Sequence, residues 1–104
     1  MSDSSLELRE VTFSSREVFQ EQSDTIVEML FQELSDWHYL NFTKDTSIWE
    51  SSIDEHCYVY IEYDTHLLIE LIRFQWSEES SDASLTLHQL INTFQSGFGL
   101  YPEP

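Results

Sequence analysis

The sequence predicts an α+β domain, with two helices packed on a small, mostly antiparallel sheet. Three observations predict it. Apolar residues recur at helical spacing from about residue 15 to 37 and again from 83 to 95, and between them residues 57 to 63 alternate as a half-buried strand does. A chain of 104 residues reads as a single domain, 1–104, with residues 1–5 and 99–104 as tails. Seven Phe, five Tyr and three Trp set it apart from disordered acidic chains, which are poor in aromatics, so a packed core is expected.

Taken in order, Leu6, Glu7 and Leu8 alternate and open a short strand leading into Val11 and Phe13. Ser14 and Glu17 have the spacing of a capping box, and Phe13 and Val18 that of a hydrophobic staple, which starts a helix at about residue 15. Phe19, Ile26, Leu30 and Trp37 then fall on one narrow stripe, with Met29 and Leu34 on its flanks. The Ser23-Asp24 pair could cap a second helix, but one long helix, bent there, is the expectation. Residues 41–56 read as a loop, pinned to the body by Ile48 and Trp49.

The strand signal runs from Cys57 to Tyr63, where Cys57, Val59, Ile61 and Tyr63 alternate with Tyr58, Tyr60 and Glu62. Asp64-Thr65 offers a tight turn, without the glycine that favoured hairpin turns want. Leu67 to Trp76 is the return strand. It is apolar on both faces, Leu67, Ile69 and Leu71 against Leu68, Ile72 and Phe74, which predicts a central strand covered on both sides; a helix from Thr65 is the competing reading. Ser77 to Ser84 is an acidic link. Ala83 to Gln95 is a closing helix with Leu87, Leu90, Ile91 and Phe94 on one face and Gly97 as its stop, followed by an extended tail with Leu100 and Tyr101 exposed.

Charge decides which functions are open. Twenty Asp and Glu face four Lys and Arg (Arg9, Arg16, Lys44 and Arg73), a formal net charge of −16. Solubility alone asks for a magnitude of roughly 2–8 in a small domain, and the excess repels itself. Contact with phosphates of DNA or RNA, or with anionic lipid, needs a basic surface that this composition cannot build. A basic protein, a cation or a cationic peptide remains.

The chemistry-bearing motifs are thin. The two glycines, Gly97 and Gly99, leave no P-loop and no dinucleotide fingerprint, no G-x-S-x-G elbow is present, and carboxylates are too abundant for any pair to mark a dyad. His38, His56, His66 and His88 form no helical ligand pair, and no calcium-loop spacing exists. The expectation is therefore no enzyme, no metal and no cofactor. Cys57, the single cysteine, sits in an apolar run and reads as a small buried hydrophobe. The N-terminus has no basic or apolar leader, and no apolar stretch has spanning length, so a cytoplasmic location is expected.

The first helix carries the most informative pattern. Glu17, Glu21, Asp24 and Glu28 are spaced four, three and four apart and fall on a ridge opposite the apolar stripe. Neighbouring carboxylates on such a ridge lie about 5–6 Å apart, close to the spacing of backbone phosphates along a nucleic-acid strand. An ordinary solvated helix face is the plainer reading of the same residues. Phe31 stands beside the ridge, as a binding anchor or as a residue covered by the 41–56 loop. Tyr58 and Tyr60, with Leu67, Ile69 and Leu71, would form an outer apolar strand face suited to a protein interface or a homodimer. In composition the chain resembles acidic nuclease inhibitors and nucleic-acid mimics. The expected function is an inhibitor or immunity-type protein that occupies the basic groove of a nuclease or other nucleic-acid-binding protein, through Glu17, Glu21, Asp24, Glu28, Phe31, Tyr58 and Tyr60. An acidic dimeric adapter or secretion-type chaperone, holding a client on its apolar strand or helix face, is the alternative.

Overall fold

A computed structural model describes residues 8–43, 45–52, 56–77 and 82–103. The expected strand at Leu6–Phe13 is β1, Leu8–Phe13, and the chain then enters α1, Arg16–Glu33. Strands β2 (His38–Thr43), β3 (Thr46–Glu50), β4 (Tyr58–Tyr63) and β5 (Ile69–Ser77) follow, and α2 (Asp82–Asn92) runs into a π-helical turn, Thr93–Gly97. The strands form one sheet in the order β1-β5-β4-β3-β2, every neighbouring pair antiparallel. The α+β architecture is as the sequence predicts. The expected frayed tail, residues 1–5, lies outside the described residues, as do residues 78–81 of the 77–84 link.

Geometry explains the connection order. β1 lies at one edge of the sheet and β2 at the other. The 18 residues of α1 make about 27 Å of helix at ~1.5 Å per residue, enough to cross five strands spaced ~4.8 Å apart. The chain then returns strand by strand until β5 pairs with β1. Side chains alternate across this sheet in register. Phe13, Ile72, Val59 and Phe74 share the face that meets the helices, and Trp49 is opposite Val59; all are buried. Phe19, Ile26 and Leu30 of α1 and Leu87, Leu90, Ile91 and Phe94 of the closing helical run complete that single core, as their spacing requires. Phe94 packs edge-on against both Phe13 and Phe74, with centroids 5.4 Å apart in each case. Each large apolar side chain removed from water in this way contributes about 1.5–3 kcal/mol.

Local departures from expectation have physical reasons. The capping box does not form: Ser15 is the N-cap of α1 without a side-chain bond, and Ser14 instead donates its hydroxyl to Glu103. The bend near Ser23 is present, since Gln22 leaves helical geometry at φ −113° and ψ 15°. Ser23 itself lies on the apolar stripe, 6% exposed, and its Oγ accepts a long 3.4 Å hydrogen bond from the Ile69 amide. The helix ends at Glu33 rather than Trp37, because a short turn through Trp37 feeds directly into β2.

The 41–56 stretch is not a loop. It contributes the end of β2 and all of β3, and Trp49 is an anchor there because it faces the core. The return strand is interior, between β1 and β4, but among the described residues helices cover only one of its faces, and no helix starts at Thr65. The C-terminal tail is not free either. Gly99 turns the chain at φ +67°, Leu100 is buried at 2% exposure, and the Glu103 amide donates to the Thr12 carbonyl beside β1. Only Tyr101 of the expected Leu-Tyr pair is exposed.

Candidate functional site

The residues expected to meet a partner fall on two opposite sides of the molecule. Glu17, Glu21, Asp24 and Glu28 are all exposed on α1. Among the described residues none of the four carboxylates has an ion-pair partner. The departure at Gln22 divides them into two pairs, Glu17 with Glu21 and Asp24 with Glu28, each one helical turn apart. Tyr58 and Tyr60 project from the far side of the sheet, away from both helices. One flat contact cannot engage both sets.

Phe31 joins the α1 side. It is 47% exposed and leans on Tyr39 of β2 and Trp49 of β3, with ring centroids 5.1 Å away in both cases. Tyr39 and Trp49 are cross-strand partners, their rings 4.8 Å apart. The β2–β3 hairpin thus covers one side of Phe31 and leaves the other open. Two continuous depressions run beside this helix. One is lined by Ser23, Asp24, Val27, Glu28, Tyr63 and Leu67, and the other by Val27, Glu28, Phe31, Gln32 and Ser35. They share Val27 and Glu28, so they form a single shallow groove with an acidic rim. Next to Tyr63, buried Ser47 makes a 2.9 Å hydrogen bond with the Tyr39 hydroxyl. Burial pushes the Tyr63 phenol above its ordinary pKa, and its hydrogen bond with Ser47 opposes the shift.

At the end of the groove, the β4–β5 connection is longer than the expected two-residue turn. The Leu67 amide donates to the Asp64 carbonyl, the Asp64 amide donates to the Leu68 carbonyl, and Leu67 takes the left-handed conformation at φ +63°. That is the three-residue hairpin loop, with leucine where glycine is usual. Asp64 Oδ1 also accepts from the amides of His66 at 2.8 Å and Leu68 at 3.1 Å. The Leu68 amide leads the causes that lower the Asp64 pKa.

Among the described residues no helix or strand covers the far sheet face, and its composition differs from the expected patch. Leu67 belongs to the turn and is 70% exposed, and Ile69 is buried on the helix side. A register shift between Glu62 and Tyr63 causes the change, since a bulge inverts which face later side chains take. What remains outside is Tyr58, Tyr60 and Leu71, joined by Ile48 and Leu40. Ile48, expected as an anchor, is thus half-buried on this outer face. Arg73 stands beside Tyr60 in register, its Nε 3.1 Å from Glu10 Oε1, close enough to pair charge but off the line of a hydrogen bond. Burial leads the causes that raise the Tyr60 pKa, followed by neighbouring Tyr58, while Arg73 acts to lower it.

Cys57 is buried and unpaired by disulfide. Among the described residues no group of three or more His, Cys, Asp or Glu is arranged to hold a metal ion, and no helix is long and apolar enough to cross a membrane. The chain matches no protein-family model, no curated protein and no solved structure.

Proposed function

We propose that this protein binds a basic protein partner and occupies that partner's nucleic-acid groove, presenting carboxylates where phosphates would lie. The observation that carries the reading is the set of exposed carboxylates on α1, without ion-pair partners among the described residues, in a chain of net charge −16. Within each helical-turn pair the side chains leave the helix about 5–6 Å apart at their Cβ atoms. Such a field steers association and makes it sensitive to salt. A nuclease or another nucleic-acid-binding protein fits this description, and the role is that of an inhibitor or immunity protein. The test is recovery of partners from the native extract at low salt, followed by competition with duplex DNA. A partner released by DNA supports the reading; one indifferent to DNA and to salt contradicts it.

A second reading is supported by the uncovered far face. Tyr58, Tyr60, Ile48 and Leu71 lie half-buried there, with no layer of described residues above them. An adapter or chaperone would use that face to dimerise or to hold a client, with weak salt dependence. Sedimentation of the protein alone separates the two, since the inhibitor reading needs no dimer.

A further inference from the structure

We propose that the groove beside α1 seats an extended, arginine-bearing segment of the basic partner, with a guanidinium stacked on Phe31 and paired with Glu28. This rests on the reading that the partner is basic, and goes further by placing the contact and naming the side chain it selects. Along α1 the groove is bordered from Ser23 to Gln32, roughly 14 Å at ~1.5 Å per residue, and Ser35, in the turn after the helix, extends it. That length fits an extended segment of about five residues at ~3.3 Å each.

Charge complementarity fixes the occupant. The lining offers two carboxylates, Asp24 and Glu28, and no Lys or Arg. A second copy of a chain carrying −16 would be repelled from it. Glu28 and Phe31 are three residues apart on a helix and therefore neighbours on its surface. A planar guanidinium pairs with a carboxylate and stacks on an aromatic face at once, whereas an ammonium is a compact, strongly hydrated charge. The hairpin holds Phe31 in place through Tyr39 and Trp49 without covering it. Val27 and Leu67 give apolar contact for side chains between the arginines. Glu17 and Glu21, beyond the bend, contribute only to the long-range field.

The test uses the full chain and two labelled hexapeptides, one alternating arginine with valine and one alternating lysine with valine. Amide shifts on titration of the native protein with the arginine peptide should cluster at Val27, Glu28, Phe31 and Leu67. The arginine peptide should bind several-fold more tightly than the lysine peptide, and Phe31→Leu should weaken it by about tenfold and erase that preference. Because Phe31 touches Trp49, thermal unfolding of the variant accompanies the measurement, and the native titration stands independently of it. Glu50→Gln with Asp82→Asn, two exposed carboxylates outside the groove, should change affinity less than about twofold. Shifts spread evenly over the acidic surface, or equal binding by F31L and the native protein, overturn the groove as the seat and leave the basic-partner reading standing. Failure of both peptides to bind even at low salt overturns both.

Discussion

Leu67 adopts φ +63° in a loop where the residue with positive φ is usually glycine. The left-handed conformation costs a leucine roughly 1–2 kcal/mol, and the extra freedom of an unfolded glycine returns about 0.5–1 of it. Leu67→Gly should therefore stabilise the fold by about 0.5–1 kcal/mol, read by urea denaturation; a destabilised variant would show that the exposed leucine packs usefully. Beside it, Asp64 has a lowered pKa because backbone amides, first that of Leu68, hydrogen-bond its charged form. A folded pKa depressed below the unfolded 3.8 contributes stability at higher pH that disappears as pH falls through the folded value. Asp64→Ala should lower the melting temperature near neutral pH, with a difference that starts to shrink below pH about 4 and vanishes once pH is below the folded pKa. A constant difference across that range would assign the loss to packing rather than to ionisation. Tyr60 and Tyr63 work at the other end. Their raised pKa values stabilise the fold fully below the unfolded pKa, near 10, and that stability is lost as pH climbs through the folded values.

At the scale of elements, two small attachments hold larger pieces in register. Ser23 breaks the apolar stripe of α1 to accept the Ile69 amide, beside the bulge between β4 and β5. Ser23→Ala leaves that amide unsatisfied and should cost about 1 kcal/mol or more, measured by chemical denaturation. Leu100 closes the core beneath the C-terminal tail, and Leu100→Ala should cost about 2–3 kcal/mol, whereas Tyr101→Ala should be near neutral. Equal effects would mean the tail is not docked. The sequence disclosed the helices because their apolar spacing is regular, and β4 because Val59 and Ile61 face the core between outward tyrosines. It hid β3 because the alternation there is inverted: Ser47 points inward toward the Tyr39 hydroxyl and Ile48 points out. It hid the true face of Ile69 because a bulge leaves no mark in a run apolar on both sides. Ser23 was legible only as a possible helix cap with Asp24, because the partner of its hydroxyl is 46 residues away. The surface residues were legible as types and not as a site. Periodicity located the acidic side of α1, and only the hairpin packing reveals that Asp24, Glu28 and Phe31 share a groove while Tyr58 and Tyr60 lie behind the sheet.

For the whole molecule, a net charge of −16 has opposite consequences for folding and for binding. Repulsion among exposed carboxylates strains the compact state, so added salt should raise the unfolding temperature by screening it. The same screening weakens attraction to a basic groove. Glu21→Lys with Asp24→Lys should keep the fold, since both residues are exposed, and lower affinity by about tenfold or more; unchanged affinity would remove α1 from the interface. The most direct measurement is affinity for the partner captured at low salt, determined at ~0.05 M and ~0.5 M salt alongside thermal unfolding in the same buffers. Binding should weaken by at least about tenfold over this range while the fold gains stability. Affinity that holds or tightens while stability rises would contradict it, and would place the contact on the apolar far face of the sheet.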